Sequence, residues 1–163
     1  MSGPAVTWTA FAAEAPGLAA TGRTLLMQFG VGLAFLATVR RDGAPRLHPV
    51  CPVLSDDGLF LLITPSSPKC DDLRRDGRYA LQTFPQPKAG SEEFYLAGLA
   101  RLVEDAPTRQ TVLHDARHQA SVSEVLFELT IERAMHTRWN DVHTPRMRPR
   151  HDTWRAPRGH GVA

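Results

Sequence analysis

Cysteine is nearly absent from this sequence: Cys51 and Cys70 are the only two in 163 residues. Two are too few for a disulfide scaffold, and their separation excludes a Cys-x-x-Cys site, so both are expected as reduced thiols. Long apolar runs are lacking too. Between Met1 and Ala20 there is no basic leader, and Glu14, Pro16 and Gly17 interrupt the apolar residues, so neither a secretory signal nor a membrane span is expected and a cytoplasmic location is the default. No internal repeat is present. Lysine is the scarcest charge, since 17 of the 19 basic residues are arginine and only Lys69 and Lys88 remain. The place of each lysine therefore bears on function.

What is present fits one globular domain with a real core, at 42% hydrophobic and 22% charged residues. The net charge of +2 is unevenly spread, because residues 133–163 carry seven arginines against only Asp141 and Asp152. The rest of the chain is mildly acidic. A basic face along the whole domain, as duplex nucleic acid would require, is missing, so nucleic-acid binding is not expected.

Alanine-rich sequence from Thr7 to about Met27, with Phe11, Leu18, Leu25 and Leu26, predicts a helical N-terminal segment over 1–27, split at Pro16-Gly17. A change of texture follows. Apolar runs at Leu33 to Arg40, Arg46 to Leu54 and Leu59 to Thr64 are separated by Asp42-Gly43 and Asp56-Asp57-Gly58, which are hairpin signals. Three consecutive antiparallel strands are predicted, the second placed beside the third. Pro49 and Pro52 make that second strand an edge, a bulge or a strand open to a ligand. Further strands are expected at Arg78 to Phe84, Glu92 to Val103 and Glu124 to Arg133, with short helices at Lys69 to Arg75 and Pro107 to His118. Six strands at short, even spacing predict a mainly β fold, a small antiparallel barrel over 28–140 with short flanking helices. The Pro-, Arg- and His-rich tail over 141–163 has no period and is expected extended over a partner surface or disordered.

The most informative stretch is Ile63-Thr64-Pro65-Ser66-Ser67-Pro68-Lys69. A strand ends, hydroxyls and backbone N–H groups follow, and a lysine opens a helix, an arrangement that suits a phosphate. The competing reading is an ST-turn capping the helix with Lys69 in solvent. Arg46 and His48 taken singly are a surface charge and a hydrogen-bonded strand histidine. Taken with the loop, they form one coherent pocket wall.

Three blocks then resemble a known family. Phe35-Leu36-Ala37-Thr38-Val39-Arg40-Arg41-Asp42-Gly43-Ala44-Pro45-Arg46-Leu47-His48-Pro49-Val50, then Ser66-Ser67-Pro68-Lys69, then Asp72 to Leu81 are similar in order and spacing to the pyridoxamine 5′-phosphate oxidase-like proteins with the FMN-binding split barrel fold. The resemblance covers residues 25–140. It implies a six-stranded split barrel that forms a homodimer with two flavin sites at the subunit interface. By position, Arg46, Leu47, His48, Pro49 and Val50 would line the isoalloxazine and ribityl chain, and Thr64, Ser66, Ser67 and Lys69 would hold the phosphate beside Ile63 at the strand end. Trp139 would cover the ring from the other subunit or pack at a strand end. In this class the cofactor performs the redox chemistry on a small-molecule substrate, so no catalytic side chain is demanded. The implied function is an FMN-dependent oxidoreductase, with a deazaflavin-dependent reductase or a non-catalytic flavin-binding protein as alternatives; some relatives bind haem. The short tail, Arg150 to Arg155, departs from the substrate-gripping tail of true pyridoxamine phosphate oxidases, so vitamin chemistry is not implied.

Other candidates are weaker. His114 and His118 have the i, i+4 spacing that can share a metal, but Asp115, Arg117 and Gln119 mark a solvated stretch, and no metal site is expected. Cys51 reads as packing. The tail arginines grip an anion or are solvated.

Overall fold

The computed structural model describes residues 4–86, 92–117 and 120–157. Two short helices open the chain, α1 (Trp8–Glu14) and α2 (Pro16–Leu26). Thr7 caps α1 by accepting from the Ala10 N–H, and Pro16 begins α2 in the first turn, where a missing N–H costs nothing. The break falls where Pro16-Gly17 predicts it. These helices join the main core, with Trp8, Phe11, Leu25 and Leu26 all buried in it. No helix among the described residues is long and apolar enough to cross a membrane.

Two strands, β1 (Ala34–Val39) and β2 (Pro45–Val50), form the first hairpin. Gly43 stands in its turn at φ +83°, a conformation that glycine adopts without a Cβ clash. Next come β3 (Val53–Leu54), β4 (Leu59–Ile63), α3 (Pro68–Arg75), β5 (Arg78–Thr83), β6 (Glu92–Leu102), α4 (Ala106–Asp115), β7 (Val125–Asn140) and β8 (Arg148–Arg155). All pairings are antiparallel, in the order β2-β1-β5-β6-β7-β4-β3, with β8 also on β7. The fold is the expected mainly β split barrel with short helices.

The sheet has eight strands rather than six. The second predicted run breaks at Cys51-Pro52 into β2 and β3, and only β3 pairs with β4. β2 therefore does not lie beside β4 as expected; the two ends of the sheet, β2 and β3, are consecutive in the chain but not hydrogen-bonded to each other. The edge position predicted from Pro49 and Pro52 holds. The second difference lies in the tail, where Arg148–Arg155 forms a strand paired with Arg133–Asn140 of its own chain.

β7 organises the barrel. One edge carries β6, and the other is shared by β4 against residues 125–128, Val6 against Ile131, and β8 against residues 133–140. Its core-facing residues Phe127, Leu129 and Ile131 meet Leu36, Leu61, Leu81 and Leu96 inside the barrel. The reverse face is also covered. Val53, Phe60, Leu62 and Leu126 bury a second, smaller cluster under Val112 of α4, which explains why Leu59–Ile63 is apolar without alternation.

Candidate functional site

β2 sorts the predicted cofactor strand onto two faces. Arg46, His48 and Val50 turn inward, whereas Leu47, 66% exposed, and Pro49 face solvent. Val50 and Ile63 are buried in the main core, so Ile63 has only its backbone to offer a ligand. At the far end of β4 the loop exposes Thr64 and Ser66, with Ser67 and Lys69 half-buried.

Ser67 is the residue preceding α3, yet its side chain does not cap the helix. Its hydroxyl instead accepts a hydrogen bond from Lys69 Nζ at 3.1 Å. The simple capping reading is thereby set aside, and the first-turn N–H groups of α3 lack a side-chain partner from that residue.

Arg46 is not free. Its Nε donates to Asp72 Oδ2 at 2.7 Å, and Thr38 Oγ1 donates to the same oxygen at 2.9 Å. Arg75 completes the network on Oδ1 at 3.4 Å. Asp72 is only 3% exposed. Burial pushes its carboxyl up, but the bonds from Arg46 and Thr38, the Arg46 charge and the Arg75 contact outweigh burial and hold it below the usual carboxylate range. The sequence offered one signal for Asp72: it stands three residues after Lys69, on the same helical face. β1, β2 and α3 are thus pinned together by one buried anion.

His48 is the unsatisfied member. Its Nε2 is enclosed and has no hydrogen-bond partner. Burial, then the charges of Lys69 and Arg46, lower its pKa below the ordinary value, with Asp72 opposing. The loop and the strand do converge, although through α3 rather than through direct strand pairing. A cleft of about 340 Å³ adjoins the Arg46–Asp72 pair; Arg40 and Arg41 line it together with Asp42 and Asp71, so its wall is mixed in charge, and His48 and Lys69 lie outside it. The Lys69 ammonium, the unpartnered His48 nitrogen and the Lys69 backbone N–H together suit an oxyanion; Pro68 has no N–H, and that of Cys70 donates to Ser67 O at 2.8 Å.

Trp139 lies within β7, not after it. The register Ile63↔Val125 puts the loop at the opposite end of that strand, 14 residues or about 45 Å of strand length from Trp139. His114 is exposed in the wall of a larger cavity of about 530 Å³, with Arg23, Pro52, Ser55 and Arg117. His118, Lys88 and Arg158 lie outside the described residues, and among the described residues no group of three potential metal ligands occurs.

A family model described as pyridoxamine 5′-phosphate oxidase matches residues 28–138. Comparison with curated protein sequences gives no match. Among solved structures, a heme binding protein from Mycobacterium smegmatis superposes with a TM-score of 0.60 at 18% identity, covering 81% of this chain and 56% of that one. The chain thus spans little more than half of that protein. A provisionally assigned pyridoxamine 5′-phosphate oxidase from Listeria innocua gives 0.56 at 22% identity, covering 71% and 94%. HutZ, a heme storage protein from Vibrio cholerae, gives 0.53 at 16% identity, covering 71% and 90%. At these identities the likeness establishes the fold alone.

Proposed function

Because the chain belongs to the pyridoxamine 5′-phosphate oxidase-like family, we propose that it binds FMN and serves as a flavin-dependent oxidoreductase for a small molecule. The observation that carries this reading is the enclosed, unpartnered His48 Nε2 beside Lys69 and Arg46. That arrangement fits a phosphate-bearing cofactor. Lys69 would offset phosphate charge as a point cation and donate its backbone N–H, and Thr64, Ser66 and Ser67 would donate hydroxyls. His48 Nε2 would donate to an oxygen of the same cofactor. Arg46, held by Asp72, keeps β2 at a fixed distance from α3 and adds positive potential. The open edge of β2 leaves backbone groups for a flat ring system. When bound, FMN would supply the hydride or electron chemistry, and the chain's own residues hold and orient it.

In this reading Trp139, at the end of β7 away from the loop, covers the ring from a second copy of the chain. A homodimer is part of this proposal. The phosphate-end residues do not distinguish FMN from a deazaflavin, which is the alternative enzyme reading.

A second reading is non-catalytic haem binding, favoured by the two haem-named structural neighbours. Reconstitution separates them. The purified chain titrated with FMN should turn yellow, quench flavin fluorescence and saturate at one flavin per chain. Lys69→Ala should weaken FMN binding roughly 10- to 150-fold, the equivalent of about 1.5–3 kcal/mol for a hydrogen bond to a charged group. A chain that ignores FMN but develops a saturable Soret band with hemin would replace the first reading with the second.

A further inference from the structure

The arginine-rich tail plays no part in the cofactor strand, yet it builds the wall of a separate cavity. In the β7–β8 ladder Arg150 stands opposite Arg138 and Asp152 opposite His136. Side chains alternate along a strand, so these four share one face. α2 covers the His136 end of that face, and Arg138, Arg150 and Asp152 remain exposed. Thr21 lines the cavity, and Gly22 lets the helix approach Phe94, the β6 partner of His136, where a Cβ would stand 2.4 Å from the ring. The resulting space is about 280 Å³. Trp139, Thr137 and His151 occupy the opposite face, as the 2.9 Å contact between Thr137 Oγ1 and His151 Nδ1 shows. The cavity is therefore distinct from the surface Trp139 would offer a partner subunit.

The groups that line it are incompletely satisfied. His136 is 6% exposed, and its Nε2 has no hydrogen-bond partner. The carboxylate oxygen near it, Glu92 Oε1 at 3.8 Å, is already taken by Arg138 Nε at 2.8 Å. Arg150 and Asp152 form no ion pair or side-chain hydrogen bond with any of the described residues. The unpaired Arg150 guanidinium and the His136 ring nitrogen, beside an Arg138 already held by Glu92, call for an anion. The unpaired carboxylate, Asp152, calls for a donor on the same ligand.

We propose that this cavity binds a small monocarboxylate with an ammonium or hydroxyl group on the neighbouring carbon, the α-amino acid or α-hydroxy acid class. The carboxylate lies against Arg150, Arg138 and His136 Nε2, and the vicinal donor lies against Asp152. The volume falls just below the range of drug-sized pockets, which suits a ligand of this size.

The test is NMR of the histidine ring signals of the full chain, with His136 assigned through His136→Gln. L-Serine and L-lactate should shift the His136 signals saturably, and propionate, which lacks the donor, should bind at least tenfold more weakly. Arg150→Gln should weaken serine at least tenfold, and Asp152→Asn should erase the preference over propionate; both positions are solvent-exposed, and far-UV circular dichroism checks that each variant folds. Absence of a saturable shift at roughly 50 mM serine, equal affinity for propionate, or an unchanged titration in Arg150→Gln would each overturn the proposal.

Discussion

Asp72→Asn isolates the charge that pins the candidate site. The substitution keeps the side-chain volume and leaves one carbonyl acceptor for the buried Thr38 hydroxyl, so the loss falls on the arginines. A hydrogen bond to a charged partner is worth about 1.5–3 kcal/mol, and the 2.7 Å Arg46 contact is of that kind. Arg46 keeps 27% of its side chain in water, which lets the freed guanidinium resolvate and favours the lower half of the range. The Arg75 contact, at 3.4 Å from a one-third-exposed side chain, adds little. The expected loss is about 2 kcal/mol, or roughly 4–8 °C in Tm for a domain of this size. Urea unfolding followed by circular dichroism measures it. The folded carboxyl lies below its ordinary range, so its stabilisation is complete above about pH 4 and is lost as pH falls through the folded value. Wild type and Asp72→Asn should therefore differ at neutral pH and converge in acid. A difference below about 0.5 kcal/mol near neutrality, or one that persists unchanged in acid, would show that Asp72 is not the ionised anchor.

The same experiment reads His48 at milder pH. Its folded pKa is depressed by burial and then by Lys69 and Arg46, so the ligand-free chain should lose stability as pH drops below about 6.5; His48→Gln should flatten that slope, and an equal slope in both proteins would refute the assignment. Trp154 ties the tail to the N-terminal helix, with Nε1 donating to Glu14 Oε2 at 3.1 Å and its ring 4.9 Å from that of Phe11. Trp154→Ala should cost about 2 kcal/mol, less than a fully buried tryptophan because the ring is half-exposed, and should speed amide exchange across β8. Unchanged exchange would mean that the strand is held by its ladder alone.

How much of this fold was legible depended on what each strand faces. β1, β4, β5 and β6 lie within a residue or two of the expected spans, because each meets the barrel core and carries a turn signal at its end. β7 was expected to stop at Arg133 but continues to Asn140. Beyond Ile131 its buried residues are Ala134, His136 and Thr137, small or polar, so the apolar alternation that announced the strand fades while the pairing does not. β8 left still less trace. Seven of its eight residues are exposed, and only Trp154 is covered, so no hydrophobic period exists to read. Its existence follows from the unpaired edge of β7 that it covers, which is a tertiary fact.

The candidate site divides along the same physical line. Lys69 and the hydroxyl loop were legible because a strand end, a loop and a helix start are contiguous in sequence. The partner of Arg46 was not, since Asp72 lies 26 residues away and its effect depends on being buried. That pairing changes the electrostatics. With Arg46 bound to Asp72, the pair contributes a dipole more than a free charge, and His48 is biased towards its neutral form. Among the predicted phosphate-contacting residues Lys69 is then the one cation whose side-chain partner is a neutral hydroxyl. Any anion drawn to the first turn of α3 must therefore depend on Lys69 more than on Arg46, and an Arg46 variant should act on affinity mainly by loosening β2 from α3, with a correspondingly larger effect on stability than on charge recognition.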